Sequence, residues 1–116
     1  MAADSYLDVS RASPEVGRQQ EGQAFDDGIA LMKVARNSPQ DVGAAVESVR
    51  YMQSLWGFLI RDLNSPQNDL SDELKANLIS IGLWVLRECD LVLAGHTENW
   101  DTLIEINMTV REGLSK

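Results

Sequence analysis

The sequence contains few of the residues from which catalytic and metal sites are usually built. It has one cysteine, one histidine and three prolines in 116 residues, and only 6% of its residues are aromatic. The single cysteine, Cys89, excludes an internal disulfide. His96 has no nucleophile or carboxylate at a spacing that indicates a catalytic pairing, and its distance from Cys89 matches no zinc pattern. We therefore expect no enzymatic activity, no metal and no cofactor.

Basic residues are also scarce. Ten Lys and Arg stand against 18 Asp and Glu, which gives a net charge of -8. Binding to nucleic-acid phosphates needs clustered Lys and Arg, so no direct nucleic-acid partner is expected. The apolar run over residues 78–95 is interrupted by Arg87, Glu88 and Asp90 and is too short to span a bilayer. The first residues have neither the basic nor the apolar region of a secretory signal. These features predict a cytoplasmic protein that does not insert into membranes.

The chain does have apolar residues at helical spacing. No segment alternates with period two for long enough to form a sheet, so we predict an all-α fold, a small helical bundle. Three long helices are predicted: one over 39–63, one between the cap Ser71 and Gly95, and one that starts at Thr97. A short or partly ordered N-terminal helix is predicted within 14–36. Residues 1–12 are expected to be a flexible segment, and residues 13–116 a single helical-bundle domain.

The second helix has apolar residues on two faces. A broad stripe follows most of its length, and Tyr51, Leu55 and Phe58 lie on roughly the opposite face. Either the first helix covers this second face, or a partner helix docks there. Covering is the favoured interpretation, because soluble domains rarely leave large apolar patches exposed. The residues available for covering are Phe25, Ile29 and Met32.

The third helix also has more apolar surface than one neighbour can cover. Its main face is predicted to contain Leu74, Leu78, Val85, Cys89 and Val92. Other apolar residues lie off this face. A short, polar first helix cannot cover all of this surface, so we predict a partner-binding groove between the second and third helices. The residues predicted to line it are Tyr51, Leu55, Phe58, Leu83, Trp84 and Leu91.

Asn107 is a polar residue within the apolar stripe of the last helix. Its amide must find hydrogen-bond partners or lower the stability of the protein. The favoured interpretation is a buried hydrogen bond to a loop or a neighbouring helix end, such as the turn at 64–70. The alternative is a specificity contact to the backbone of a partner.

A succession of short motifs runs through the predicted helices. In order, they are Leu55-Trp56, Asp62-Leu63, Asn68-x-Leu70, Glu73-Leu74-Lys75-Ala76, Leu78 to Val85, Leu103 to Asn107, Val110 and Gly113-Leu114. This succession, within residues 24–115, resembles the FlaF family of flagellar biosynthesis proteins of alphaproteobacteria. Ser71 departs from the family pattern, in which proline commonly follows the leucine, and this affects only the helix start.

The resemblance implies a function that the spacing of residues does not give. It implies an export chaperone that binds flagellin and promotes its synthesis and secretion, alongside the regulator FlbT. The expected partner is a terminal amphipathic helix of flagellin, which an acidic bundle with spare apolar surface can cover. The alternative is a post-transcriptional regulator of flagellin expression that acts through a FlbT-like protein partner and is not itself a chaperone. Self-association as a homo-oligomer through the same apolar surface also stays open.

Overall fold

The structure, a computed structural model, describes residues 14–114 and has four α-helices in that range. The helices are α1 (Pro14–Asn37), α2 (Val42–Leu63), α3 (Asp72–Leu93) and α4 (Trp100–Leu114). Residues 14–114 contain no β-strand. The prediction of an all-α bundle is confirmed. The predicted flexible segment, residues 1–12, lies outside the described residues.

The predicted signals at both ends of α3 are confirmed. The Ser71 hydroxyl accepts a hydrogen bond from the backbone N–H of Leu74 at 3.2 Å, as an N-cap residue does. Gly95 has a φ of +76°, and the N–H of the next residue, His96, donates to the carbonyl of Leu91 at 2.9 Å. This is the glycine-based helix end that the sequence predicted, in which a left-handed residue lets the chain turn back on the last carbonyls.

The start of α2 differs from its prediction. The helix begins at Val42 rather than at Pro39, because Asp41 is its N-cap residue. The Asp41 carboxylate accepts a hydrogen bond from the N–H of Ala44 at 3.0 Å. Ser38 instead accepts a bond from the N–H of Asp41 at 2.9 Å, which closes a turn between α1 and α2. A carboxylate that satisfies a free N–H therefore determines the start.

The helices pack in the order α3–α2–α1–α4. The closely packed pairs are α3 with α2, α2 with α1, and α1 with α4. Two exposed ion pairs also connect α1 to α4, Arg36 with Asp101 and Asp26 with Arg111, each at 3.1 Å. Such pairs contribute little to stability because solvent screens them. In the described part of the chain, α3 and α4 are consecutive helices that are not a closely packed pair. We call the side between them the open side of the bundle.

The first helix is neither short nor peripheral. It extends over 24 residues, and Phe25 and Met32 on α1 are completely buried. The Phe25 ring meets the Trp56 ring of α2 edge to face, with centroids 5.7 Å apart. Its apolar residues lie on one stripe, so few of them are needed to anchor a helix that is otherwise polar. From Phe25 onward, α1 is part of the core.

The core contains side chains from all four helices. Its most deeply buried members are Phe25, Met32, Val49, Met52, Trp56, Val85, Cys89 and Leu103. The predicted main face of α3 is buried at Val85 and Cys89, but it is not buried at the beginning of the helix. Leu74 is 43% exposed, and Leu78 is half-buried. Residues in the first turns of α3 lie at the edge of the bundle, where helical spacing alone does not guarantee a covering neighbour.

Gly82 marks the closest approach of α3 to α2. A Cβ atom at this position would lie 2.6 Å from Cε3 of Trp56 and 3.0 Å from Cδ1 of Ile60. Gly82→Ala should gain about 0.5–1 kcal/mol from helix propensity and lose about 1–3 kcal/mol from overpacking. We therefore expect a net loss of stability, measured by urea denaturation.

Gly57 on α2 provides the matched control for that substitution. No atom lies within 4 Å of a Cβ built at Gly57. Gly57→Ala should therefore show the propensity gain alone, about 0.5–1 kcal/mol. Equal stabilisation by both alanine variants would mean that α2 and α3 do not pack closely at Gly82.

Candidate functional site: the open side between α3 and α4

Three of the six predicted site residues lie on the side of α2 that α1 covers. Leu55 and Phe58 are buried, with 6% and 7% of their surface exposed, and Tyr51 is half-buried. A Cβ atom at Gly28 of α1 would lie 3.1 Å from the Tyr51 ring and would collide with the Met52 methyl group. In the structure, α1 therefore covers this face of α2, as the favoured interpretation of the sequence predicted.

The other three predicted residues lie on α3. Helical geometry places Trp84 and Leu91 on the side away from α2, whereas Leu83 shares an edge with Asp90. Leu83 is 56% exposed, whereas Trp84 and Leu91 are half-buried. The contact of α3 with α2 runs through Gly82. The two helices are also joined by a hydrogen bond that Gln53 of α2 donates to the Asp90 carboxylate of α3 at 3.0 Å. The six residues thus do not form one groove between α2 and α3. Their role in partner binding stays a prediction, and the most exposed of the six, Leu83, lies on α3.

Half-buried apolar residues of α3 and α4 lie toward the open side of the bundle. At 3.6 residues per turn, Ile81, Trp84 and Leu91 share the edge of α3 that points away from α2. On α4, Ile106 and Val110 share the edge opposite the ion pairs with α1. All five side chains are half-buried, and four of them, all but Leu91, pack against the core. We call these five residues the α3–α4 flank.

One hydrogen bond places the end of α3 beside the start of α4. The Asn99 amide donates to the Glu88 carboxylate at 3.1 Å, just before α4 begins. Glu88 lies on the same edge of α3 as Trp84 and Leu91, because residues three and four apart are neighbours on a helix. The flank is therefore apolar along most of its length and acidic near this end.

The sequence interpretation missed Ile106 as a surface residue. The sequence assigns the stripe of α4 to Trp100, Leu103, Ile104, Val110 and Leu114. Ile106 lies about 100° from the centre of that stripe. A signal was present, since Ile106 and Val110 are four residues apart and adjacent on the helix surface. It was weak because two residues are not enough to define a second face.

Asn107 forms the buried polar link of the core. It is completely buried, and its Oδ1 accepts a hydrogen bond from the indole Nε1–H of Trp56 at 2.8 Å. Its Nδ2 donates to the backbone carbonyl of Leu103 at 2.7 Å. A buried hydrogen bond was predicted, but its partner is Trp56 on α2 rather than the 64–70 turn. Asn107 thus joins α4 to α2 and does not reach the flank.

The remaining reactive groups do not assemble into a site. Burial raises the pKa of the Cys89 thiol from 9.0 to about 12, with smaller contributions from Asp90 and Glu88, so the thiol stays protonated at neutral pH. His96 is exposed in the turn after α3. Among residues 14–114, no group of three or more His, Cys, Asp or Glu side chains could hold a metal ion. The same residues include no helix that is both long and apolar enough to cross a membrane.

The part of the chain that the structure describes is thus a small all-helical bundle with a partly exposed apolar flank. A family model described as "Flagellar protein FlaF" matches residues 2–114. The chain belongs to the FlaF family, and a role in flagellar biology follows from this membership. No curated protein and no solved structure matches the chain.

Proposed function

We propose that the protein is a cytoplasmic chaperone that binds flagellin before export and thereby promotes flagellin synthesis and secretion. Membership of a flagellar family supports a flagellar role. The observation that carries the proposal is the α3–α4 flank, a set of five partly exposed apolar side chains on two helices of an acidic bundle. Soluble domains keep such surfaces when a partner covers them. The proposal assigns the chain no catalytic step and no cofactor.

The chemistry of flagellin fits such a surface. Its terminal segments are amphipathic helices that become ordered only on assembly, and an exposed apolar helix face is prone to aggregate. An open side between two helices accepts a partner helix through anchors three and four residues apart. Ordering the disordered segment reduces the net affinity, which favours release at the export machinery.

A binding experiment tests the proposal directly. Purified monomeric flagellin is mixed with the full chain and analysed by size-exclusion chromatography with light scattering. We expect a complex with intact flagellin and none with flagellin that lacks both terminal segments. Flagellins that lack one terminus each then show which end is bound.

The same experiment separates the proposal from the regulatory alternative. A regulator that acts only through a FlbT-like protein would leave flagellin monomeric and unbound, and it would form its complex with the FlbT-like protein instead. That result, obtained at micromolar concentrations of both proteins, would reject the chaperone role. A nuclease treatment that leaves the flagellin complex intact excludes an RNA bridge.

A further inference from the structure

We infer that the α3–α4 flank is the docking surface for an amphipathic helix of another protein, and that this helix carries lysine or arginine along the edges of its apolar face. The inference deepens the proposed function and rests on it only for the identity of the partner. Neither a second copy of this chain nor a helix with acidic edges suits the surface, because each would bring like charge against it.

The dimensions of the flank suit a short helical segment. Its apolar part on α3 runs from Ile81 to Leu91, which corresponds to about 15 Å along the axis, or about three turns of a facing helix. Ile106 and Val110 form the opposing wall on α4. Because α3 and α4 are not a closely packed pair, a helix can lie across their half-buried side chains, which keep part of their surface exposed.

The charges at the flank determine which residues are favourable at the edges of the partner helix. Glu88 lies between Trp84 and Leu91 on α3, and the same edge of the helix continues to Glu73 near its first turn. Neither carboxylate forms a salt bridge with a side chain in 21–114, the part of the chain whose side chains the structure describes. Glu88 accepts a hydrogen bond from the neutral amide of Asn99. Arg87 is a neighbouring cation, so two carboxylates outnumber one guanidinium.

The cations of α4 do not change this balance. Arg111 is turned toward α1, where it pairs with Asp26 at 3.1 Å. A partner with acidic edges would therefore meet uncompensated like charge. A second copy of the chain has a net charge of -8 and would meet the same repulsion. Lysine or arginine on the partner would pair with Glu73 and Glu88.

Trp84 makes the flank accessible to spectroscopy. It is half-buried, whereas Trp56 and Trp100 are both buried. Acrylamide should therefore quench mainly the fluorescence of Trp84, and Trp84→Phe should remove most of the quenchable signal. A helix that docks on the flank should protect Trp84 from the quencher.

The test titrates the full chain with two synthetic amphipathic helices of about 18 residues, or five turns. The two peptides share one apolar face and differ only in having lysine or glutamate at its edges. We expect the lysine peptide to protect Trp84 and to bind more than about tenfold more tightly than the glutamate peptide. Glu73→Gln combined with Glu88→Gln should lower the affinity for the lysine peptide by roughly two- to thirtyfold, which is the range expected for the loss of two surface ion pairs.

A charge-matched variant is the control. Glu47→Gln combined with Glu112→Gln removes two exposed carboxylates from α2 and α4, away from the flank, and should leave the affinity for the lysine peptide unchanged. Equal binding of both peptides, no binding of either, or binding that leaves Trp84 quenchable would each overturn the inference. A dimer that protects Trp84 without any peptide would assign the flank to self-association and overturn it as well.

Repeating the titration with flagellin separates this inference from the proposed function. If the lysine peptide binds as expected and flagellin does not bind, the flank is a docking surface and the flagellin proposal is wrong. Flagellin could instead bind without protecting Trp84 and with an affinity that Glu73→Gln and Glu88→Gln do not change. In that case flagellin is the partner, and the flank is not its docking surface.

Discussion

Replacing Phe25 by alanine is expected to lower the free energy of unfolding by about 3–5 kcal/mol, the cost of removing a large buried ring. Phe25 is completely buried and meets Trp56 edge to face. Its loss removes both the buried area and the aromatic pair, and it leaves a cavity between α1 and α2. Urea denaturation followed by circular dichroism measures the change.

Val34 on the same helix provides the control for this substitution. It is 54% exposed, so Val34→Ala should change stability by no more than about 0.5 kcal/mol. If Phe25→Ala also left the free energy of unfolding unchanged, α1 would be only loosely attached to the bundle. In that case Tyr51, Leu55 and Phe58 would again be available to a partner, as the groove prediction required.

The sequence predicted the positions of the helices better than it predicted which helices pack against one another. The cap at Ser71 and the glycine end at Gly95 were predictable because each depends on a few adjacent residues. The start of α2 was harder, since Ser38-Pro39 and Asp41 are both start signals. Only the structure shows that the Asp41 carboxylate reaches the N–H of Ala44.

The role of α1 could not be read from its composition. Its first half is polar and suggested a short or partly ordered helix. Burial depends, however, on a stripe of a few large side chains that meet a complementary surface. The stripe contains Phe25 and Met32, and small residues such as Gly28 let α1 approach Tyr51 and Met52 closely. The pattern showed the stripe but not how well it fits.

The site prediction had the same limit. Periodicity shows which residues of one helix share a face, but it does not show which faces of different helices meet. Tyr51, Leu55 and Phe58 do share a face, and that face lies against α1. Trp84 and Leu91 do lie off the main face of α3, but their neighbour across the open side is α4 rather than α2. A groove shared by both sets required a helix order that the sequence did not contain.

Asn107→Leu is expected to lower stability by about 1–3 kcal/mol, because it leaves the buried indole N–H of Trp56 without an acceptor. Leucine has as many side-chain heavy atoms as asparagine but is bulkier, so the variant leaves no cavity. The loss should come from the unpaired donor together with overpacking by the methyl groups. Trp56→Phe has a larger expected effect. It leaves Oδ1 of Asn107 unpaired and also removes part of a large buried side chain. Each variant is measured by denaturation, with helicity checked by circular dichroism.

The double variant decides whether the hydrogen bond itself stabilises the bundle. Because the side chains of phenylalanine and leucine have no polar atoms, Trp56→Phe combined with Asn107→Leu leaves no unpaired polar group from this pair. Its loss of stability should therefore be smaller than the sum of the two single losses, by about 1 kcal/mol or more. Additive losses would mean that the 2.8 Å contact between Trp56 and Asn107 contributes nothing beyond packing. A double variant that is helical but binds the lysine peptide like the parent would further show that this link holds α4 to α2 without shaping the flank.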